Sequence, residues 1–193
     1  MSDDLPDIPV RTVFLGDSIT AAADWESWFP DRETVNQGVS GDTTDELLAR
    51  FDDLVAAEPD VVALLVGTND LGRRKSVEHL VRNIELLLVN LRRQRPGCRT
   101  LVQSIMPRSA DFAAEIRDAN RHLRQFAPSV GAQYLDLWPV LAGDGDAILP
   151  EYSEDDLHLT PAGYEAWLSE LRPALLAVDG APPMTGSIRV IRD

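Results

Sequence analysis

The sequence predicts an α/β protein built on a five-stranded parallel β-sheet. Short apolar runs rich in valine and leucine alternate with stretches of helical periodicity along almost the whole chain. One of these runs, Val61 to Val66, is apolar at every position, so both of its faces need cover. That is the pattern of a strand in a parallel sheet sandwiched between helices. Strand–helix alternation of this kind closes as a doubly wound sheet with right-handed crossovers.

The candidate strands are Val10–Leu15, Glu33–Gln37, Asp60–Val66, Thr100–Ile105 and Gln133–Leu137. A first long helix begins at Thr43, where Thr43 and Glu46 have capping-box spacing, and runs to about Ala57 before Pro59. A second follows Ser76, places Leu80, Ile84, Leu87, Leu88 and Leu91 on one face, and stops before Pro96-Gly97. A third covers Ala110–Phe126, and a last one opens at Pro161 and runs to about Val178. Residues 1–178 are expected to form one domain. Residues 179–193 form a C-terminal tail in which Gly180-Ala181-Pro182-Pro183 reads as a hinge and Ser187–Arg192 as a short extra strand or a disordered end.

Composition limits the partners. The 193 residues include 18 Lys and Arg against 32 Asp and Glu, a net charge of −14. Such a surface repels nucleic acid and anionic membranes. No apolar run approaches a membrane span, and the acidic start Met1-Ser2-Asp3-Asp4 is unlike a signal peptide, so the expected location is cytoplasmic. The single cysteine, Cys98, has no disulfide partner within the chain, and no Cys/His cluster has metal-site spacing.

In an open parallel sheet the ligand site lies beyond the carboxyl ends of the strands. Those ends are followed by Gly16-Asp17-Ser18-Ile19-Thr20, Gly38-Val39-Ser40-Gly41-Asp42, Gly67-Thr68-Asn69-Asp70 and Met106-Pro107-Arg108. After the fifth strand a loop reaches Asp155-Asp156-Leu157-His158, just before the last helix. Each piece alone has an ordinary structural use as a turn or a cap. Together they place a serine, a histidine, a carboxylate and amide donors along one edge of one sheet.

That set suits serine-based acyl transfer. Ser18 needs a base, His158 can accept its proton, and Asp155, three residues before the histidine, can hold the second ring nitrogen. Asp156 is the competing carboxylate. The oxyanion of the tetrahedral intermediate needs donors, for which the backbone N–H groups of Ser18 and Gly38 and the side-chain amide of Asn69 are the candidates. His79 and His122 fall within helical patterns and read as solvated or hydrogen-bonded side chains.

Gly16-Asp17-Ser18-Ile19, Gly38, Gly67-Thr68-Asn69-Asp70 and Asp155-Asp156-Leu157-His158 resemble the four signature blocks of the SGNH (GDSL-type) hydrolases. The longer phrases Asn36 to Thr44 and His158 to Trp167 are especially similar to the branch containing the catalytic subunits of intracellular platelet-activating-factor acetylhydrolase. The resemblance spans Val13 to about Leu171. It implies a three-layer α/β/α flavodoxin-like fold and an esterase that needs no metal or cofactor. It also implies Ser18 as nucleophile, His158 as base, Asp155 as its partner, and Ser18, Gly38 and Asn69 as oxyanion donors. Asp156 stands where the family often carries glycine. Relatives in that branch pair as dimers, so a homodimer is the oligomer the resemblance suggests.

Other nucleophile and nucleotide motifs are absent. There is no Gly-x-Ser-x-Gly elbow, Walker loop or Gly-x-Gly-x-x-Gly turn after the first strand. Gly143-Asp144-Gly145-Asp146 lacks calcium-loop spacing and reads as a surface turn. The expected substrate is a small-molecule ester with a short, acetyl-type acyl group, because the chain leaves no insertion for a lid domain. A carbohydrate deacetylase, a thioesterase or a lysophospholipase would use the same machinery, and a non-catalytic ligand-binding module could use the same cleft. Trp25, Trp28 and Phe29 either line a substrate pocket or pack the first helix. Arg108 either touches substrate or pairs with the acidic surface.

Overall fold

The computed structural model describes residues 9–181. Five parallel strands form one sheet in the order β2-β1-β3-β4-β5: β1 (Arg11–Gly16), β2 (Glu33–Gly38), β3 (Val61–Leu65), β4 (Arg99–Gln103) and β5 (Gln133–Leu135). In register, Gly16 of β1 lies beside Gly38 of β2 and Leu65 of β3. The carboxyl ends of the three strands that lead into the Ser18, Gly38 and Asn69 segments are therefore level. The order reverses at β1, which opens a crevice at the switch point between β1 and β3.

The helices, numbered in chain order, are α1 (Ser18–Ala21), α2 (Trp25–Trp28), α3 (Thr44–Ala49), α4 (Phe51–Ala56), α5 (Thr68–Gly72), α6 (Val77–Gln94), α7 (Ala113–Phe126), α8 (Trp138–Leu141) and α9 (Pro161–Gly180). They cover both faces. Val13, Leu15, Val62, Leu64 and Val102 point to a core shared with α3, α4, α6 and α7. Phe14, Val61, Ala63, Leu65 and Leu101 point the other way, toward α1, α2, α8 and α9. Every residue of β3 is buried, as its unbroken apolar run requires.

The expected strands all form, with ends shifted by a few residues. The helix expected from Thr43 to Ala57 instead divides at Arg50, whose φ of −106° and ψ of 24° end α3 before α4 begins. The capping box at its start is present: the Thr43 hydroxyl caps α3 while Glu46 accepts from the Thr43 N–H at 2.8 Å. The helix expected from Ala110 begins as a 3₁₀ turn, Ala110–Phe112, before α7. Helix α9 continues past Val178 to Gly180, so the first residues of the expected tail are helical. The strand expected at Ser187–Arg192 lies outside the described residues. Among the described residues no helix is long and apolar enough to cross a membrane.

Candidate active site

Ser18 opens α1 directly beyond β1. Asp17 caps that helix, its Oδ1 accepting from the Ile19 N–H at 3.0 Å. The Asp17 side chain is buried, which raises its carboxyl pKa to about 6; the Ile19 N–H and the charge of His158 oppose the shift. On the other side of the cleft, Thr160 caps α9, its Oγ1 accepting from the Gly163 N–H at 3.2 Å. The Tyr164 hydroxyl then donates to the Ile19 carbonyl at 2.8 Å and fastens α9 to α1. Two elements far apart in sequence are so locked that His158, just before α9, meets Ser18.

The Ser18 Oγ lies 3.1 Å from His158 Nε2, and His158 Nδ1 lies 2.7 Å from Asp155 Oδ2. Asp155 Oδ1 also accepts from the His158 backbone N–H at 2.7 Å, the Leu157 N–H at 3.1 Å and the Ser153 hydroxyl at 3.2 Å. The contact with the His158 ring is the main reason its carboxyl is held down, to about 2, with the backbone donors adding to it. Of the two aspartates, Asp155 is the one that contacts the His158 ring. Asp156 makes none of these contacts and holds φ at +60°, a left-handed turn that glycine adopts most readily and aspartate tolerates. Both the His158 and Asp155 side chains remain half exposed, so the histidine edge of the cleft opens to solvent.

The expected donors behave differently from one another. Asn69 sits in the first turn of α5, and its Nδ2 donates to the Asp42 carbonyl at 2.9 Å, leaving its second amide hydrogen for another acceptor. The Ser18 N–H has no acceptor among the described residues. The Gly38 N–H, in contrast, already donates to Asn36 Oδ1 at 2.9 Å. The lack of a side chain at Gly38 has another cause: a Cβ there would sit 2.2 Å from the Ala21 nitrogen and 2.6 Å from its Cα. Gly38 is thus a closely packed glycine with an occupied N–H, contrary to the expectation of a free donor. Three residues on, Gly41 holds φ at +84°, and its N–H has no acceptor among the described residues. It lies in the turn that Asn69 reaches.

Polar side chains brace this edge. The Arg50 guanidinium donates to Asp42 Oδ2 and the Gln37 carbonyl, both at 2.8 Å, and to the Gly16 carbonyl at 3.3 Å. It thereby links the ends of β1 and β2 to the Gly41 turn. Asp70, fully buried, accepts from the Thr44 N–H at 3.0 Å and the Thr44 hydroxyl at 2.7 Å, which joins α5 to α3. Arg73 donates to the Gly41 carbonyl at 2.8 Å. The sequence places Gly41 and Asp70 in the segments beyond the strands without marking a role for either, and nothing local singles out Arg50.

Other candidates settle into the frame. Trp25 stacks on Phe14 with ring centroids 3.7 Å apart and meets Trp167 edge-on, so Trp25 and Phe29 are core residues. Trp28 packs at the margin of that cluster. His79 is half exposed and bonds Asp45, and His122 is half exposed near Asp118. Burial raises the Cys98 thiol to about 12, which leaves it unreactive. Among the described residues no group of three His, Cys, Asp or Glu side chains converges on a metal position.

A profile of the GDSL-like lipase/acylhydrolase family matches residues 14–166. The chain belongs to this family of hydrolases. Curated relatives of the GDSL-type chain include the alpha1 subunit of platelet-activating factor acetylhydrolase IB from Bos taurus. That protein is 26% identical over 184 residues, covering 90% of this chain and 78% of the relative. The alpha2 subunit from Rattus norvegicus is 27% identical over 173 residues, covering 84% and 72%. Solved structures share the fold. A GDSL-like lipase from Bacteroides thetaiotaomicron superposes with a TM-score of 0.77 at 22% identity, covering 86% of this chain and 88% of its own. An acetyl xylan esterase superposes with a TM-score of 0.75 at 19% identity, covering 86% and 100%.

Proposed function

We propose that this GDSL-type acylhydrolase cleaves small, short-acyl esters through an acyl-enzyme on Ser18. The unbroken contact line from Ser18 Oγ through His158 to Asp155 carries the proposal. His158 Nε2 takes the Ser18 proton as Oγ attacks the ester carbonyl carbon. Asp155, ionised across the working pH range, accepts from Nδ1–H, fixes the tautomer and stabilises the imidazolium. The carbonyl oxygen becomes the oxyanion. Its donors are the Ser18 N–H, the Asn69 amide and the Gly41 N–H, the last replacing Gly38, whose N–H is taken by Asn36. His158 returns its proton to the leaving alcohol oxygen, and the C–O bond breaks. Water then gives a proton to His158 and attacks the acyl carbon; Ser18 recovers that proton as the acid departs.

Short acyl groups fit the surroundings. Trp25 and Phe29 are committed to the core and offer no wall to a long chain. The depression around His158 is lined by Glu154, Asp155, Leu159, Thr160 and Pro161 and has no aromatic wall. A separate groove formed by Trp28, Phe29, Pro30, Arg172 and Leu176 includes Val10, beside the start of β1, at the opposite edge of the sheet. Hydrolysis of a p-nitrophenyl ester series from acetate to palmitate tests the proposal. Acetate and butyrate are expected to be cleaved best, and Ser18→Ala is expected to lose ~10³-fold or more in kcat. Best activity on palmitate contradicts the acyl preference, and full activity in Ser18→Ala contradicts the mechanism.

A further inference from the structure

Arg108 follows β4, one strand beyond the Asn69 turn along the same sheet edge. Its guanidinium is anchored on two sides. Nη1 donates to the Thr68 carbonyl at 3.2 Å and the Thr68 hydroxyl at 3.3 Å, immediately before Asn69. The guanidinium carbon lies 3.9 Å over the Phe112 ring centroid. Both hydrogen bonds run through Nη1, while Nε is buried with no partner among the described residues. A buried donor left unpaired costs stability, and such groups persist where a site needs them. Asp155 and Asp156, on the loop that carries His158, both act on the Arg108 charge without bonding it. The guanidinium is therefore tied to the Asn69 turn and held over Phe112, with Nε short of an acceptor.

We propose that Arg108 is a specificity-determining residue that binds a neutral oxygen, a hydroxyl or an ether, on the alcohol part of the ester. The proposal rests on the acyl-transfer chemistry assigned to Ser18. A guanidinium only donates, so its partner must be an acceptor. The chain carries −14 overall, which disfavours an anionic partner. An oxygen-rich neutral alcohol such as a polyol or sugar meets both conditions. Its hydroxyl or ether oxygen would accept from the guanidinium edge that Thr68 does not engage.

The experiment compares two acetate esters in the full chain: 1-naphthyl acetate, whose alcohol part has no free oxygen, and monoacetylglycerol, which has two hydroxyls. Arg108→Met keeps the bulk over Phe112 and removes every donor. It is expected to lower kcat/KM on monoacetylglycerol ~10–100-fold, mainly through KM, and to leave 1-naphthyl acetate within about twofold. Arg108→Lys, which retains a cation and a donor for Thr68, is expected to recover part of the loss; it provides the same comparison where the methionine variant does not fold. An equal loss on both esters overturns the proposal in favour of simple support of the Asn69 turn. No loss on either also overturns it, as does a wild-type chain that cleaves only 1-naphthyl acetate. A wild-type chain that cleaves neither ester, with Ser18→Ala no different, overturns the acyl-transfer chemistry itself and this assignment with it.

Discussion

Asn69 concentrates more of the proposed chemistry than any other single amide. One of its side-chain hydrogens ties α5 to the Asp42 carbonyl, and the other is left for the oxyanion. Asn69→Ala is expected to lower kcat ~10²–10³-fold, while thermal unfolding shifts by only a few degrees, about what one lost hydrogen bond costs. A variant that keeps its turnover would remove Asn69 from the donor set. Ser18, Asp155, His158 and Asn69 could be named as candidates from the sequence because each lies in a segment beyond a strand or just before the last helix. The proposed glycine donor could not. A glycine in a sequence says that a side chain is excluded without saying why. Gly38 is excluded by the backbone of Ala21, and Gly41 by its positive φ. Asn36-Gln37-Gly38 did hold a clue, since an asparagine can accept from the N–H two residues on and so occupy it.

At the scale of elements, legibility followed length. Helices α6, α7 and α9 span enough turns for apolar periodicity to show, and Ser76 and Pro161 mark the starts of α6 and α9, whereas α7 opens at Ala113, three residues after the expected start. The four-residue helices α1, α2 and α8 have no period to detect and are held by caps, stacking and the sheet edge. The break at Arg50 arises from long-range hydrogen bonds to Gly16, Gln37 and Asp42, which no local pattern encodes. Helix α1 is the element that presents Ser18, and its cap carries a measurable cost. The buried Asp17 carboxyl has its pKa raised from 3.8 to about 6, so the folded chain binds this proton more tightly than the unfolded chain. Between those values stability falls as pH rises, by about 3 kcal/mol at most from this group. Asp17→Asn keeps an acceptor for the Ile19 N–H and removes the charge. Urea unfolding at pH 4, 5, 6 and 7 should show a flatter dependence in the variant and greater stability at pH 7; an unchanged slope would mean that Asp17 ionises freely in the fold.

For the molecule as a whole, strand order decides where chemistry can occur. With β1 central and the order reversing there, the loops after β1, β2, β3 and β4 meet at one edge, and α9 brings His158 across to them. The alternation of strands and helices, with β3 apolar throughout, made this architecture readable before any coordinate. The order of strands in the sheet became readable only with the family resemblance, because pairing is set by contacts between distant segments. Net charge works at this scale too. The net charge of −14 is the whole-molecule reason for proposing a neutral polar ester over an anionic one. The central claim, a nucleophilic Ser18 activated by His158, is tested most directly by covalent labelling with a fluorophosphonate and peptide mass spectrometry. The wild-type chain should gain one phosphonyl group on the peptide containing Ser18, while Ser18→Ala should gain none and His158→Ala should label far more slowly. Labelling at any other residue, or an esterase-active chain that takes up no label, would contradict it.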